Sequence, residues 1–260
     1  MPSRAHSASR PDVILLGLLT GLVLLAWYAL WLWGRLPYGH LLLHGPVHPG
    51  IVAHRPWLFA SVFVIGWTLM TVAMMLPTSF PLMVLFHRMV RDRNHSTWLM
   101  ALVALGYLAS WLLCGLFLQL VNWSLQAGIA RAGWRGNAAW ISGAVVLTVA
   151  GLYQFSALKY ACLEKCRSPL SFLTSRWQGG NESTQAWRIG LEHGLFCVGC
   201  CWSLMLVMFL VGTGSLAWML LLGAVMALEK NSSWGRRLSS PIGVLLFIAA
   251  GALLVTGVRS

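Results

Sequence analysis

Residues 98–121 read WLMALVALGYLASWLLCGLFLQLV and contain no charged side chain. A helix needs about 20 mainly apolar residues to cross the hydrocarbon core of a bilayer. In lipid, such a helix hydrogen-bonds all of its own backbone, which an isolated strand or loop cannot do. This stretch therefore predicts a transmembrane α-helix.

Six further apolar segments have the same character. They are residues 13–33, 57–76, 138–158, 191–211, 215–228 and 242–258. The segment at 215–228 is short, and only Gly212, Thr213 and Gly214 separate it from the segment before it. Six spans are therefore the alternative to seven. We expect an all-α, polytopic transmembrane helical bundle of about seven spans, formed by residues 1–260 as a single integral membrane domain.

The composition supports a membrane protein. Charged residues make up 9% of the chain and the mean hydropathy is +0.73, whereas soluble domains carry about 25% charged residues. A net charge of +12 would suggest nucleic-acid binding in a soluble protein. Here the basic residues lie between the apolar segments, where they contact anionic lipid. We therefore expect the lipid bilayer as a partner, and no nucleic acid.

The basic residues also predict the orientation. If the N-terminus is inside, the inner connections carry 13 of the 18 Lys and Arg residues, as the positive-inside rule requires. The first apolar segment is longer than a signal-peptide core and no small-residue cleavage site follows it, so we interpret it as an uncleaved anchor. We expect a multi-pass protein of the bacterial inner (cytoplasmic) membrane with a cytoplasmic N-terminus.

The second span contains a predicted break. Pro77 and Pro81 remove backbone donors and should kink the helix. Three methionines, Met70, Met74 and Met75, lie just before it. An ordinary packing kink and a functional site lined by carbonyls or methionines are both open.

Five of the six cysteines lie in two short segments. The first segment, residues 159–169, reads KYACLEKCRSP. Cys162 and Cys166 are four residues apart, so a helix that continues from the fourth span would place them on one face. Pro169 would end that helix. The second segment, residues 192–205, reads EHGLFCVGCCWSLM.

The second cysteine segment has a helical stripe. His193, Cys197, Cys200 and Cys201 fall within an arc of roughly 100° on a helix, and Met208 continues the stripe. The predicted topology puts both segments at the cytosolic boundary, where thiols stay reduced. A structural disulfide is therefore disfavoured, and metal binding or thiol redox exchange is favoured; packing alone is the third interpretation.

Thiolate and thioether ligands select Cu(I), zinc or iron–sulfur clusters. The cysteine spacings match neither zinc-ribbon nor ferredoxin patterns, and the nearby methionines favour Cu(I), with zinc as the alternative. The predicted metal ligands are Cys162, Cys166, His193, Cys197, Cys200, Cys201, Met208, Met74 and Met75. Glu192 is a candidate counter-charge. Cys114 stands alone and is interpreted as a packing residue.

Four histidines, His40, His44, His48 and His54, lie in the predicted outer loop. They could collect Cu(II) or zinc, or they could simply belong to a solvated interfacial loop. The chain has no Gly-rich phosphate loop, HExxH motif or paired intramembrane carboxylates, and hence no sign of a catalytic site.

Three ordered motifs carry a family resemblance: WTLMTVAMMLPT at residues 67–78, YQFSALKYACLEKCRSPL at 153–170, and HGLFCVGCCWSLM at 193–205. The chain resembles the bacterial family of predicted metal-binding integral membrane proteins over residues 67–230. Some members of that family are regarded as copper chaperones. The resemblance implies metal binding and a copper-enzyme client.

Three functions are consistent with these residues. The leading hypothesis is a non-enzymatic Cu(I) chaperone or assembly factor that delivers copper to an enzyme. The others are a metal transporter of the inner membrane and a membrane thiol–disulfide oxidoreductase that uses Cys200 and Cys201 with Cys162 or Cys166.

Overall fold

The computed structural model describes residues 10–35, 56–131, 138–178, 180–211 and 215–259. Within these ranges all regular structure is helical, which confirms the all-α class. The α-helices are α1 (Arg10–Arg35), α2 (Pro56–Met74), α3 (Phe80–Val90), α4 (Ser96–Arg131), α5 (Ala138–Gln154), α6 (Ala157–Arg167), α7 (Pro169–Arg176), α8 (Glu182–Val211), α9 (Leu216–Asn231) and α10 (Gly235–Arg259). The histidine loop predicted as a possible metal site, with His40, His44, His48 and His54, lies outside the described residues.

Four of the described helices are long and apolar enough to cross a membrane. They are Val13–Arg35, Ser96–Val121, Glu182–Met208 and Gly235–Gly257. Two bent pairs, Ala60–Met74 with Pro77–Val90 and Trp140–Gln154 with Ala157–Arg167, raise the number to six if each pair is one span. Large apolar side chains such as Leu18, Phe117 and Leu245 are exposed on these helices, which fits contact with lipid.

Seven spans are not confirmed. The predicted sixth span corresponds to α9, which has 16 residues. At about 1.5 Å per residue, this helix is roughly 24 Å long, shorter than the roughly 30 Å hydrocarbon core.

The proline break in the second span is confirmed. Helix α2 ends at Met74, the 3₁₀ turn Pro77–Ser79 follows, and α3 begins at Phe80. The two arms are bent by 48°. The Met75 carbonyl faces protein at this break, where it accepts hydrogen bonds from the Thr78 hydroxyl at 2.7 Å and the Tyr107 hydroxyl at 3.1 Å.

Helices α4 and α8 share the most extensive helix–helix contact among the described residues. A Cβ atom at Gly190 would lie 2.2 Å from the Val103 carbonyl oxygen, so glycine is required for this contact. The Ser110 hydroxyl crosses the same interface and donates to the Leu191 carbonyl at 2.8 Å. Small residues and interhelical hydrogen bonds of this kind drive helix association in lipid. The second cysteine segment therefore lies on a helix that packs closely against α4.

Candidate metal centre

A bend between α5 and α6 positions the first cysteine segment. The sequence predicted a continuous helix from the fourth span into the cysteines, but this prediction is wrong: α5 ends at Gln154 and α6 runs at 62° to it. Ser156 restarts the helix because its side chain accepts a hydrogen bond from the Lys159 backbone N–H at 3.1 Å, which is the usual role of a serine N-cap. The bend lays α6 against α8.

Cys162 contacts α8 at a glycine. A Cβ atom at Gly199 would lie 2.5 Å from the Cys162 Sγ atom. The Tyr153 hydroxyl, at the end of α5, donates a hydrogen bond to the Gly199 carbonyl. Because Gly199 has no side chain, the two cysteine segments can approach each other closely at this point.

Three cysteine sulfurs meet where α6 crosses α8, and we call Cys166, Cys200 and Cys201 the thiol cluster. The Sγ atoms of Cys166 and Cys200 are 3.9 Å apart, although the two residues are 34 positions apart in the chain. The Sγ atoms of Cys200 and Cys201 are 3.4 Å apart. Cys200 and Cys201 are buried, and Cys166 is half-buried. All six cysteines of the chain are free thiols.

Cys197 has polar partners of its own. Its Sγ atom lies 2.9 Å from the Lys230 Nζ atom and 3.0 Å from the Tyr107 hydroxyl. The same Nζ atom donates to the Thr78 hydroxyl at 3.1 Å. Lys230, Tyr107 and Thr78 are all buried. Polar groups from three elements, α4, α9 and the 3₁₀ turn, therefore lie around Cys197, one turn before the thiol cluster on α8.

His193 lies on the same helix, one turn before Cys197. It is buried, and its ring packs between Tyr107, at 5.9 Å between centroids, and Phe172, at 6.0 Å. Its Nδ1 atom has no hydrogen-bond partner in the described part of the chain. A buried nitrogen without a partner is costly, so His193 stays a candidate ligand, distinct from the thiol cluster.

The three methionine candidates, Met208, Met74 and Met75, are all buried. Met208 follows Cys201 by seven residues on α8, which is about 10 Å along the axis. Met74 is buried and packs beside Gly223 of α9. Met75 is fully buried, and its carbonyl shares the Tyr107 hydroxyl with Cys197. Cys114 is half-buried on α4, about 10 Å along the axis from Tyr107.

Glu192 is engaged at the surface. Its carboxylate forms ion pairs with Arg176 at 2.8 Å and with Arg188 at 3.5 Å. These three residues line a small polar pocket beside α7 and α8. The sequence analysis named this carboxylate as a candidate counter-charge. In the structure its partners are arginines and not a cysteine.

A second buried network joins α5, α6, α9 and α10. The Lys159 Nζ atom contacts the Glu229 carboxylate at 2.8 and 3.0 Å and also donates to the Gln154 side chain. Glu229 also accepts a hydrogen bond from the Ser239 hydroxyl at 2.8 Å. The sequence interpretation put Lys159 and Lys230 on inner connections as topological charges; the structure instead buries both side chains within the bundle.

Sequence reasoning did not single out four of these buried polar residues: Lys230, Tyr107, Lys159 and Glu229. The signal for Glu229 and Lys230 was ambiguous: both follow directly on an apolar segment, where a charge is normally assigned to the lipid headgroups, whereas the same residues buried inside a span would be functional candidates. Tyr107 left no comparable signal, because a tyrosine within an apolar run usually marks packing or an interface.

The thiol cluster is not a preformed metal site. Among the residues that the structure describes, no three His, Cys, Asp or Glu side chains are arranged as a ligand set for a metal ion. The sulfur pairs are nevertheless close. Thiolate–metal bonds are about 2.3 Å long, so two sulfurs bound to one ion are at most about 4.6 Å apart. Both pairs in the cluster satisfy that limit, and soft sulfur donors suit Cu(I).

A family model described as a copper chaperone, PpoB2, matches residues 64–253 of the chain. The matched region includes the proline break, both cysteine segments, and the Glu229 and Lys230 positions. No curated protein and no solved structure matches the chain. The family match covers most of the 260 residues and agrees with the resemblance found in the three sequence motifs, and the chain therefore belongs to the PpoB2 copper chaperone family.

Proposed function

We propose that this protein is an integral membrane copper chaperone that holds Cu(I) on the thiol cluster and passes it to a copper enzyme. The observation that carries the proposal is the distance of 3.9 Å between the Sγ atoms of Cys166 and Cys200. These cysteines come from the two segments that the sequence analysis joined into one site, and a single ion can bind both sulfurs.

The mixed burial of the cluster supports transfer of the metal. Cys166 is half-buried, whereas Cys200 and Cys201 are buried. A ligand from a partner can therefore reach Cys166 first, while the other two sulfurs retain the ion. Low coordination favours such exchange, because a closed shell of four ligands forms stable structural sites. Cys162 and Cys197 adjoin the cluster, and we assign them as reserve sulfur ligands during transfer.

The proposed setting is the bacterial inner membrane, with the N-terminus and both cysteine segments on the cytosolic side. The basis is the excess of Lys and Arg on the inner connections. A cysteine introduced at Arg176, in α7, should react with a membrane-impermeant thiol reagent only when the reagent reaches the cytosolic face. Labelling from the periplasmic face would contradict this orientation.

Elemental analysis tests the proposed function. Protein purified anaerobically and loaded with Cu(I) should retain copper, whereas the Cys166→Ser/Cys200→Ser variant should lose most of it. Cys114→Ser, a change to a free thiol outside the cluster, is the matched control and should retain as much copper as the unaltered protein. Equal copper content in all three proteins would contradict the proposal.

Two further measurements separate the alternatives. Reconstitution into sealed vesicles tests transport, because a carrier would accumulate Cu(I) inside and a chaperone would not. A thiol–disulfide oxidoreductase would instead cycle Cys166 and Cys200 through a disulfide with a reduced dithiol substrate, independently of copper. Copper flux, or copper-independent exchange, would replace the chaperone proposal with the corresponding alternative.

A further inference from the structure

Three ionisable side chains of α6 and α9 are buried within the bundle, and their charges do not cancel. Lys159, Glu229 and Lys230 are each at most 5% exposed. The Glu229 carboxylate is already bound by Lys159 and by the Ser239 hydroxyl. Within the described residues, Lys230 forms no ion pair with a carboxylate; its Nζ atom contacts the Cys197 sulfur and the Thr78 hydroxyl. One positive charge is therefore left over beside the cysteines.

A cation without a partner is expensive to bury, because the bundle interior and the surrounding lipid solvate it poorly. Lys230 lies within electrostatic range of Cys197, Cys200 and Cys201, all on α8. The Thr78 hydroxyl accepts a hydrogen bond from Lys230, and the Tyr107 hydroxyl contacts the same Cys197 sulfur as Lys230 does. The cysteine sulfurs become negatively charged when they bind a metal. That negative charge can balance the ammonium group of Lys230.

The charge of the metal ion then matters. Cysteine binds metals as a thiolate. A Cu(I) ion carries a net charge of −1 with two thiolates and −2 with three. A Zn²⁺ ion on the same thiolates carries 0 and −1, so the Cu(I) complex is more negative by one unit in each case and is attracted more strongly by the Lys230 ammonium group. For any fixed set of sulfurs, the ammonium group repels the divalent ion by one additional unit of charge.

We propose that Lys230 is the residue that sets metal selectivity at the thiol cluster: its ammonium group, held against Cys197, favours a monovalent soft ion, Cu(I), over a divalent ion such as Zn²⁺. The inference rests on the proposed function, because it assumes that the cluster binds metal. It assigns the choice of metal to charge balance, in addition to the softness of the ligands. Lys230 acts as a positioned counter-charge and not as a ligand.

A comparison of three metals tests the proposal. The affinities of Cu(I), Ag(I) and Zn²⁺ are measured anaerobically, by competition with chelators, for the unaltered protein and for Lys230→Met and Lys230→Arg. Lys230→Met should lower the ratio of Cu(I) to Zn²⁺ affinity by roughly tenfold or more. Ag(I), which is monovalent and soft, should follow Cu(I). Lys230→Arg, which keeps the charge, should retain most of the selectivity.

Controls separate selectivity from folding. Lys230→Gln removes the charge but keeps a side-chain donor for Thr78, and should shift the ratio as Lys230→Met does. Arg237→Gln removes an exposed charge and should leave the ratio unchanged, because solvent screens that site. A purely structural role for Lys230 would weaken all three metals alike, and an unchanged ratio in both neutral variants would overturn the inference. If Cys200→Ser left all affinities unchanged, the proposed function itself would fail.

Discussion

Lys159 and Lys230 are both buried where α6, α8 and α9 meet, yet they have different partners. Lys159 is bound by the Glu229 carboxylate and the Gln154 side chain. Lys230 is bound by a cysteine sulfur and a hydroxyl. A carboxylate is a permanent counter-ion, whereas a sulfur can also bind a soft metal. We therefore infer that Lys159 stabilises the packing of its helices, whereas Lys230 supplies the counter-charge for the metal that we propose the cluster binds.

The largest effect is expected when the ion pair between Lys159 and Glu229 is broken. Glu229→Leu leaves the Lys159 ammonium group buried without a counter-ion, and should reduce the free energy of unfolding by about 3–5 kcal/mol. Unfolding in mixed micelles measures this loss. The double variant Lys159→Met/Glu229→Leu should recover much of it, because no unpaired charge remains. If the single and double variants lost the same free energy of unfolding, the loss would not arise from an unpaired Lys159 charge.

The next effect concerns the metal. Cys200→Ser removes the sulfur that contacts both other members of the thiol cluster. The affinity for Cu(I) should fall by more than about 100-fold, since loss of a mere hydrogen-bond partner of a ligand already costs roughly 10- to 100-fold. Anaerobic competition with a Cu(I)-specific chelator measures it. Cys114→Ser should leave the affinity unchanged, and a matching loss in that control would contradict the assignment.

A smaller effect follows from the contact between α6 and α8. Gly199→Ala adds a methyl group 2.5 Å from the Cys162 sulfur, so the two helices must separate or Cys162 must move. We expect a loss of about 1–3 kcal/mol in the free energy of unfolding, which is typical of overpacking. Cys162→Ala in the same chain should restore part of the stability, because it removes the atom that clashes. If Cys162→Ala restored no stability, the strain would not arise from the contact with the Cys162 side chain.

The smallest effect returns to the second lysine. Lys230→Met removes a buried charge along with its contacts to sulfur and hydroxyl, and the desolvation cost that disappears offsets the interactions that are lost. The change in the free energy of unfolding should therefore stay within about 1 kcal/mol, well below that of Glu229→Leu. A loss as large as that of Glu229→Leu, measured in the same micelles, would remove the distinction between the two lysines.

The sequence predicted the local features of this site well. One helix carries the predicted stripe of His193, Cys197, Cys200 and Cys201. The break in the second span lies at the prolines, which lack a backbone N–H donor. The bend at Ser156 was not predicted, because a serine at that position is compatible with a continuing helix as well as with a cap. The contact between Lys230 and Cys197 joins residues 33 positions apart, and hydrophobic periodicity carries no information about such a pairing.

The same limit applies to Lys159 and Glu229, which are 70 positions apart. Each lies at the edge of an apolar segment, and a charge there is normally assigned to the lipid headgroups. Only the packing of α6 and α9 shows that the two side chains turn inward and neutralise each other. The count of seven spans is not confirmed because α9 has only 16 residues, whereas the alternative of six spans agrees with the upper number of candidate spans among the described helices.

X-ray absorption spectroscopy at the copper edge of the anaerobically loaded protein reports the atoms bound to the metal, and therefore tests whether the thiol cluster holds Cu(I). We expect Cu(I) with two or three sulfur neighbours at about 2.3 Å, and a spectrum that changes in both Cys166→Ser and Cys200→Ser but not in Cys114→Ser. A first shell of nitrogen or oxygen, or a spectrum unchanged in Cys166→Ser and Cys200→Ser, would contradict this expectation.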